Sequence, residues 1–204
     1  MKTDILAFGA HPDDVELGCG GTIAKMVSEG KTCVIVDLTK GELGTRGTEE
    51  TRKAEAADSA GILGVAAREN LGMKDGFLEN SEEYQMRIVK MVRKYRPEIV
   101  LANAIDDRHP DHAKGAKLVS DACFLAGLRK IETLLDGENQ EVWRDRSIFS
   151  ITFSGKILSR NSALTFPSIL IKKLQPAWLS KHSSMIRLQM NRKHRLLQKT
   201  FMKA

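Results

Sequence analysis

No stretch of this 204-residue chain approaches the roughly 20 consecutive apolar residues that a membrane-spanning helix needs. Nor does the N-terminus read as a secretory signal, because charged Lys2 and Asp4 lead straight into the short apolar run Ile5-Leu6-Ala7-Phe8. The expectation is a cytoplasmic protein. Cysteine is scarce: Cys19, Cys33 and Cys123 form an odd set with neither paired nor zinc-knuckle spacing, which excludes a disulfide framework and predicts buried free thiols. A Gly-x-Gly-x-x-Gly fingerprint and a P-loop lysine are both missing, so the run Gly18-Cys19-Gly20-Gly21 is only weak support for phosphate binding at a helix N-terminus. There is no internal repeat and no low-complexity linker.

A further set of absences divides the chain. Residues 144–204 hold no Glu, no Val, no Tyr, one Gly and a single acid, Asp145, beside 13 Lys+Arg. Residues 1–143 hold 15 Gly, 19 Lys+Arg and 25 Asp+Glu. The net charge of +6 thus combines −6 in the first part with +12 in the second. The sequence predicts an α/β domain over residues 1–143, incomplete at its C-terminal side, followed by an atypical basic tail over 144–204. Two readings of the tail stand side by side. One is translation out of frame. The other is a genuine extension in which Lys181, Arg187, Arg192, Lys193, Arg195 and Lys199 interleave with Met185, Ile186, Leu188, Met190, Leu196 and Leu197 as a basic amphipathic helix. Only the second makes nucleic acid or an anionic membrane a partner.

Within the first part, strand and helix signals alternate. Asp4 to Gly9 and Thr32 to Leu38 read as buried strands, Gly21 to Glu29 as a helix ended by Gly30. A loop punctuated by Gly41, Gly44 and Gly47 precedes an Ala-rich helix running to Gly61 or Leu63, with Thr48 and Thr51 as caps. A short extended segment follows near Arg68 to Leu71. Ser81 caps a helix that Pro97 stops, Glu98 to Ala102 is another strand, and Asp111 to Leu128 another helix. Alternation of this kind predicts a Rossmann-like, mostly parallel sheet with helices on both faces. Working residues then gather beyond the carboxyl ends of the strands.

Two clusters lie just there. His11-Pro12-Asp13-Asp14 follows the first strand, and His109-Pro110-Asp111-His112 follows the fourth. Imidazole and carboxylate are ligands a catalytic zinc uses, and adjacent acids allow one to bind metal while the other moves protons. Two clusters on one sheet edge can build one site. Cys19 is close enough to be weighed as a ligand, but packing beside the Gly-rich segment is the favoured reading.

These segments, with Glu16-Leu17-Gly18, the loop Lys40-Gly41-Glu42-Leu43-Gly44-Thr45-Arg46-Gly47 and Arg52-Lys53-Ala54-Glu55-Ala56, resemble the PIG-L/LmbE family of zinc-dependent N-acetylglucosaminyl deacetylases. Cys123-Phe124-Leu125-Ala126-Gly127-Leu128-Arg129-Lys130-Ile131 looks most like its bacillithiol-biosynthesis branch, which deacetylates N-acetylglucosaminyl malate. The resemblance implies His11, Asp14 and His112 as metal ligands and Asp13 as general base. It implies His109, backed by Asp111, as an acid or electrostatic partner, and Arg46 and Arg52 as substrate contacts. Zinc is the implied ion, and ferrous iron suits the same mixed donors. Trimers or hexamers are implied as well. A related amino-sugar deacetylase or thiol-conjugate amidase is the second reading. A metal-binding but catalytically disabled remnant is the third, because the resemblance stops at Trp143 and the family's C-terminal oxyanion tyrosine has no counterpart: the only tyrosines are Tyr84 and Tyr95.

Overall fold

The computed structural model describes residues 1–144 and the strand at 147–151. Almost the whole of the basic tail, including the Lys181 to Lys199 pattern, lies outside the described residues.

Two apolar runs form the centre of the sheet. Strand β1 (Ile5–Gly9) and strand β2 (Cys33–Thr39) are buried along their whole length, as strands covered on both faces must be. They pair in parallel, Ile5 opposite Cys33 and Phe8 opposite Val36. Between them runs helix α1 (Asp14–Ser28), which starts seven residues earlier than the expected Gly21. Glycine weakens a helix interior by about 1 kcal/mol. Here Val15, Cys19 and Ile23 bury one stripe, and Gly20 and Gly21 are buried with them, so packing overrides propensity.

Helix α2 (Glu49–Leu63) begins as expected, with Thr48 and Thr51 exchanging side-chain and backbone bonds in a capping box. Gly64 closes it in the left-handed region at φ +70°. Strand β3 (Ala67–Met73) then forms the half-exposed edge of the sheet beside β2. Helix α3 (Glu82–Tyr95), capped by Ser81, leads to strand β4 (Ile99–Asn103), which returns to the other side of β1. Helix α4 (Pro110–Ala126) follows. A two-residue hairpin, β5 (Leu134–Leu135) and β6 (Glu138–Asn139), precedes strand β7 (Ser147–Ile151), which pairs in parallel with β4. The sheet continues past Trp143, where the sequence pattern breaks.

The strand order is β3-β2-β1-β4-β7, with every pairing parallel. One face carries Leu6, Phe8, Val34, Val36 and Val100 against Ile88, Val89 and Val92 of α3 and Leu118 and Val119 of α4. Helices α1 and α2 pack together, with α1 against β1 and β2. Arg68 of β3 ties them down: its guanidinium donates twice to Asp37 at 2.8 and 2.9 Å and once to Glu16 of α1, which also accepts from Ser59 of α2 at 2.6 Å. The order of the strands reverses between β1 and β4. The loops leaving those two strands therefore diverge around a crevice, the usual ligand position of an open parallel sheet. No helix among the described residues is long and apolar enough to cross a membrane.

Candidate metal centre

Each half of the site hangs on the end of a strand. His11 follows β1 on a turn in which Asp13 and Asp14 both donate backbone N–H groups to the His11 carbonyl, at 2.8 and 3.2 Å. Asp14 is the first residue of α1, so its buried side chain is aimed back across the turn, where Oδ2 accepts from the His11 backbone N–H at 3.0 Å. On the other side, His109 is the N-cap of α4 and Pro110 its first residue, a position that needs no N–H. His112 lies in that first turn and is buried.

The crevice brings the two halves together. The His11 and His109 rings lie edge to face with centroids 4.7 Å apart, and His109 stacks on His112 at 4.8 Å. One nitrogen from each of the three rings lies within 4.8 Å of the other two. Asp14 joins the set from below, 3.2 Å from His112 Nε2 and 3.6 Å from His11 Nδ1. Burial opposes ionisation of Asp14, but its bonds to the two imidazoles outweigh that and hold the carboxyl well below the usual range. Burial likewise opposes charge on His11, yet Asp14, Asp75 and Asp13 raise its pKa to about 9. His112 is raised in the same way by Asp14 and Asp107. The acids thus favour positive charge at both rings, the field a bound cation would occupy.

Asp13, next in line, makes no capping bond. Burial first, and then the Asp14 charge, push its pKa up to about 6 against the pull of Arg52 and His11. Arg52 approaches from α2 and lies against Gly41 and Gly44. A Cβ on Gly41 would sit 2.6 Å from its guanidinium, and one on Gly44 would collide with it. Arg46 is exposed on the same loop. His109 receives the Asp111 backbone N–H on Nδ1 at 3.3 Å, and burial with two neighbouring histidines lowers its pKa.

One expected contact is different. The Asp111 carboxylate does not back His109: its Oδ2 accepts from the Gly76 N–H at 2.7 Å and faces His11 Nε2 at 3.4 Å. The reason is local, since the helix that starts at Pro110 turns the Asp111 side chain toward the loop after β3. Cys19 is buried in α1 and joins neither metal-capable group among the described residues.

Three further residues belong to the site. Asn103, the last residue of β4, accepts from the Ala10 N–H and donates to Asp14 Oδ2, both at 2.9 Å. Asp75, on the loop after β3, lies 3.1 Å from His11 Nε2. Asp107 lies 3.4 Å from His112 Nδ1 and accepts from the His109 N–H at 3.0 Å. The signal for Asn103 was a polar residue ending an apolar strand; the two aspartates stand in loops without pattern. The donors fit a metal ion. Imidazoles and a carboxylate converge, and each of the two rings facing Asp14 has a second carboxylate behind it, the arrangement that orients metal-binding histidines.

A parallel α/β sheet thus carries, at its strand reversal, a histidine–carboxylate cluster able to hold a metal ion. The chain belongs to the PIG-L family, described as GlcNAc-PI de-N-acetylase, whose model matches residues 6–123. It is 37% identical over 134 residues to the diacetylchitobiose deacetylase of Thermococcus kodakarensis, an alignment covering 61% of this chain and 50% of that protein. An uncharacterized deacetylase of Escherichia coli is 32% identical, with 70% of this chain and 77% of that protein covered. Among solved structures, the conserved protein TT1542 from Thermus thermophilus superposes with a TM-score of 0.74 at 38% identity, covering 84% of this chain and 74% of that one. The match thus spans half the length of the archaeal deacetylase.

Proposed function

We propose that the chain is a zinc-dependent N-deacetylase acting on a small N-acetylglucosamine conjugate, N-acetylglucosaminyl malate in particular. The observation that carries this reading is Asp14 set between His11 and His112, with a second carboxyl, Asp13, beside it and held near neutrality. His11, Asp14 and His112 would hold the ion, and ferrous iron suits the same donors. When bound, the ion supplies Lewis-acid polarisation of the acetamide carbonyl and acidifies a water.

The protein's own groups do the rest. Asp13 takes the proton of the attacking water, and a pKa near 6 lets it pass that proton on to the departing amine. His109 has Nδ1 committed to the Asp111 amide, so its neutral ring carries the proton on Nε2. That is a donor suited to a developing oxyanion, which an acyl-transfer site needs. Arg52 lies beside Asp13 under the glycine loop, where it both moderates the Asp13 charge and offers a fork for a substrate carboxylate such as malate. Arg46 extends from the loop toward solvent as the second contact. Assembly into trimers or hexamers belongs to the same reading.

The test is amine release by the full chain reconstituted with zinc, with N-acetylglucosaminyl malate and diacetylchitobiose offered in parallel. Faster turnover of the malate conjugate supports the proposal, and preference for chitobiose redirects it to the relative's substrate. A zinc-loaded chain inert toward both, and toward thiol-conjugate amides, would instead be a disabled remnant.

A further inference from the structure

Asp75 reaches the site from the far edge of the sheet. It is buried at 6% exposure, and both its carboxylate oxygens are used. Oδ1 lies 3.1 Å from His11 Nε2, and Oδ2 accepts the Leu43 N–H at 2.9 Å. Its own backbone N–H donates to Glu42 Oε1 at 2.9 Å. The next residue, Gly76, gives its N–H to Asp111, whose Oδ2 faces the same His11 nitrogen. Gly76 has φ +74°, and a Cβ there would sit 2.8 Å from Leu43 Cδ1, so the turn and the Lys40-to-Gly47 loop close on each other. His11 Nε2 is therefore enclosed by two anchored carboxylates, while Nδ1 faces Asp14.

We propose that Asp75 is a positioning residue that fixes the His11 ring for metal binding through Nδ1 and couples that ring to the glycine loop. This inference rests on the metal-dependent reading above. Asp75 Oδ2 accepts the Leu43 N–H, while Oδ1 makes a 3.1 Å ion-pair contact with His11 Nε2, whose hydrogen bond goes to Asp111 Oδ2. Asparagine carries no charge and offers one acceptor and an NH2 group, so Asp75→Asn can keep the Leu43 bond but loses the attraction that holds the His11 ring. Loss of such an outer partner typically weakens metal binding about 10- to 100-fold. Glu42→Ala removes the bond to the Asp75 backbone but leaves the carboxylate on His11, and it serves as the reference.

The experiment has two parts. The wild-type chain, labelled with nitrogen-15 and loaded with a spin-active cadmium isotope, shows by ring-nitrogen coupling which atom of His11 binds the ion. Coupling at Nδ1 is expected. Coupling at Nε2 would place the ion among His11, Asp75 and Asp111, the other group able to hold one, and would overturn this inference while leaving the metal reading intact. A wild-type chain that binds neither zinc nor cadmium overturns both. In the second part, Asp75→Asn should bind zinc about 10- to 100-fold more weakly than wild type, with Glu42→Ala much closer to wild type. Unchanged zinc affinity would also overturn it. The coupling measurement needs no variant, so misfolding of Asp75→Asn does not remove the test.

Discussion

Asn103 holds Asp14 in place: its side-chain amide donates to Oδ2 at 2.9 Å, between two residues that are both buried and lie on different elements. The same side chain accepts from Ala10, so one carboxamide joins the ends of β1 and β4 to the start of α1.

Replacing Asn103 with Ala should leave the Ala10 amide and one Asp14 lone pair unpaired, costing about 1–3 kcal/mol. Asn103→Asp should cost more, because it sets a second buried carboxylate against the first. Urea unfolding of the metal-free chain measures both, with Asn103→Asp expected at the lower midpoint.

Asp13→Asn should abolish amine release while leaving zinc stoichiometry unchanged, since it removes the proposed base and spares the proposed ligands. Loss of the ion in this variant would reverse the division of roles between Asp13 and Asp14. Metal analysis of the purified variant beside its turnover decides between them.

Gly44→Ala tests the loop. The added Cβ drives the Arg52 guanidinium from its place beside Asp13, so turnover should fall by up to about 10²-fold, the scale of a misplaced catalytic environment. Zinc affinity should not change, because none of the proposed ligands touches Gly44. Arg52→Lys, which keeps the charge but loses the fork, should reproduce the loss.

Asp4 gives a pH dependence away from the site. Backbone and side-chain bonds from Thr32 lower its pKa from the ordinary 3.8 to about 2. A carboxyl whose folded pKa is depressed stabilises the fold above its unfolded pKa and stops doing so as pH falls through the folded value. Asp4→Asn should therefore melt lower than wild type at pH 6, with the gap closing between pH 4 and 2. A gap constant across that range would exclude this linkage.

The strand and helix alternation was legible because its signals are local: continuous apolar runs at Ile5 to Phe8 and Val34 to Val36, and the capping hydroxyls of Thr48 and Ser81. The two histidine clusters were legible for the same reason. The start of α1 was not, because burial of Val15, Cys19 and Ile23 decides it and the glycines between them argue the other way. Asp75 carries no local signal at all; its role comes from loops that meet across the sheet, whereas Asp107 faces residues two and five positions on in its own segment. Asp111 stands out in the sequence, but spacing alone does not say which imidazole a carboxylate faces, and helix geometry gave it to His11.

The reversal of strand order between β1 and β4 also sets when the centre can come into being. Asp14 and Asn103 are 89 positions apart in the chain, and His112 lies farther still. A polypeptide folded only as far as β3 owns His11 and Asp14 but neither Asn103 nor His112. Ion capture thus waits on the docking of β4 against β1, and an ion that binds only the completed crevice shifts the folding equilibrium toward that late, long-range pairing.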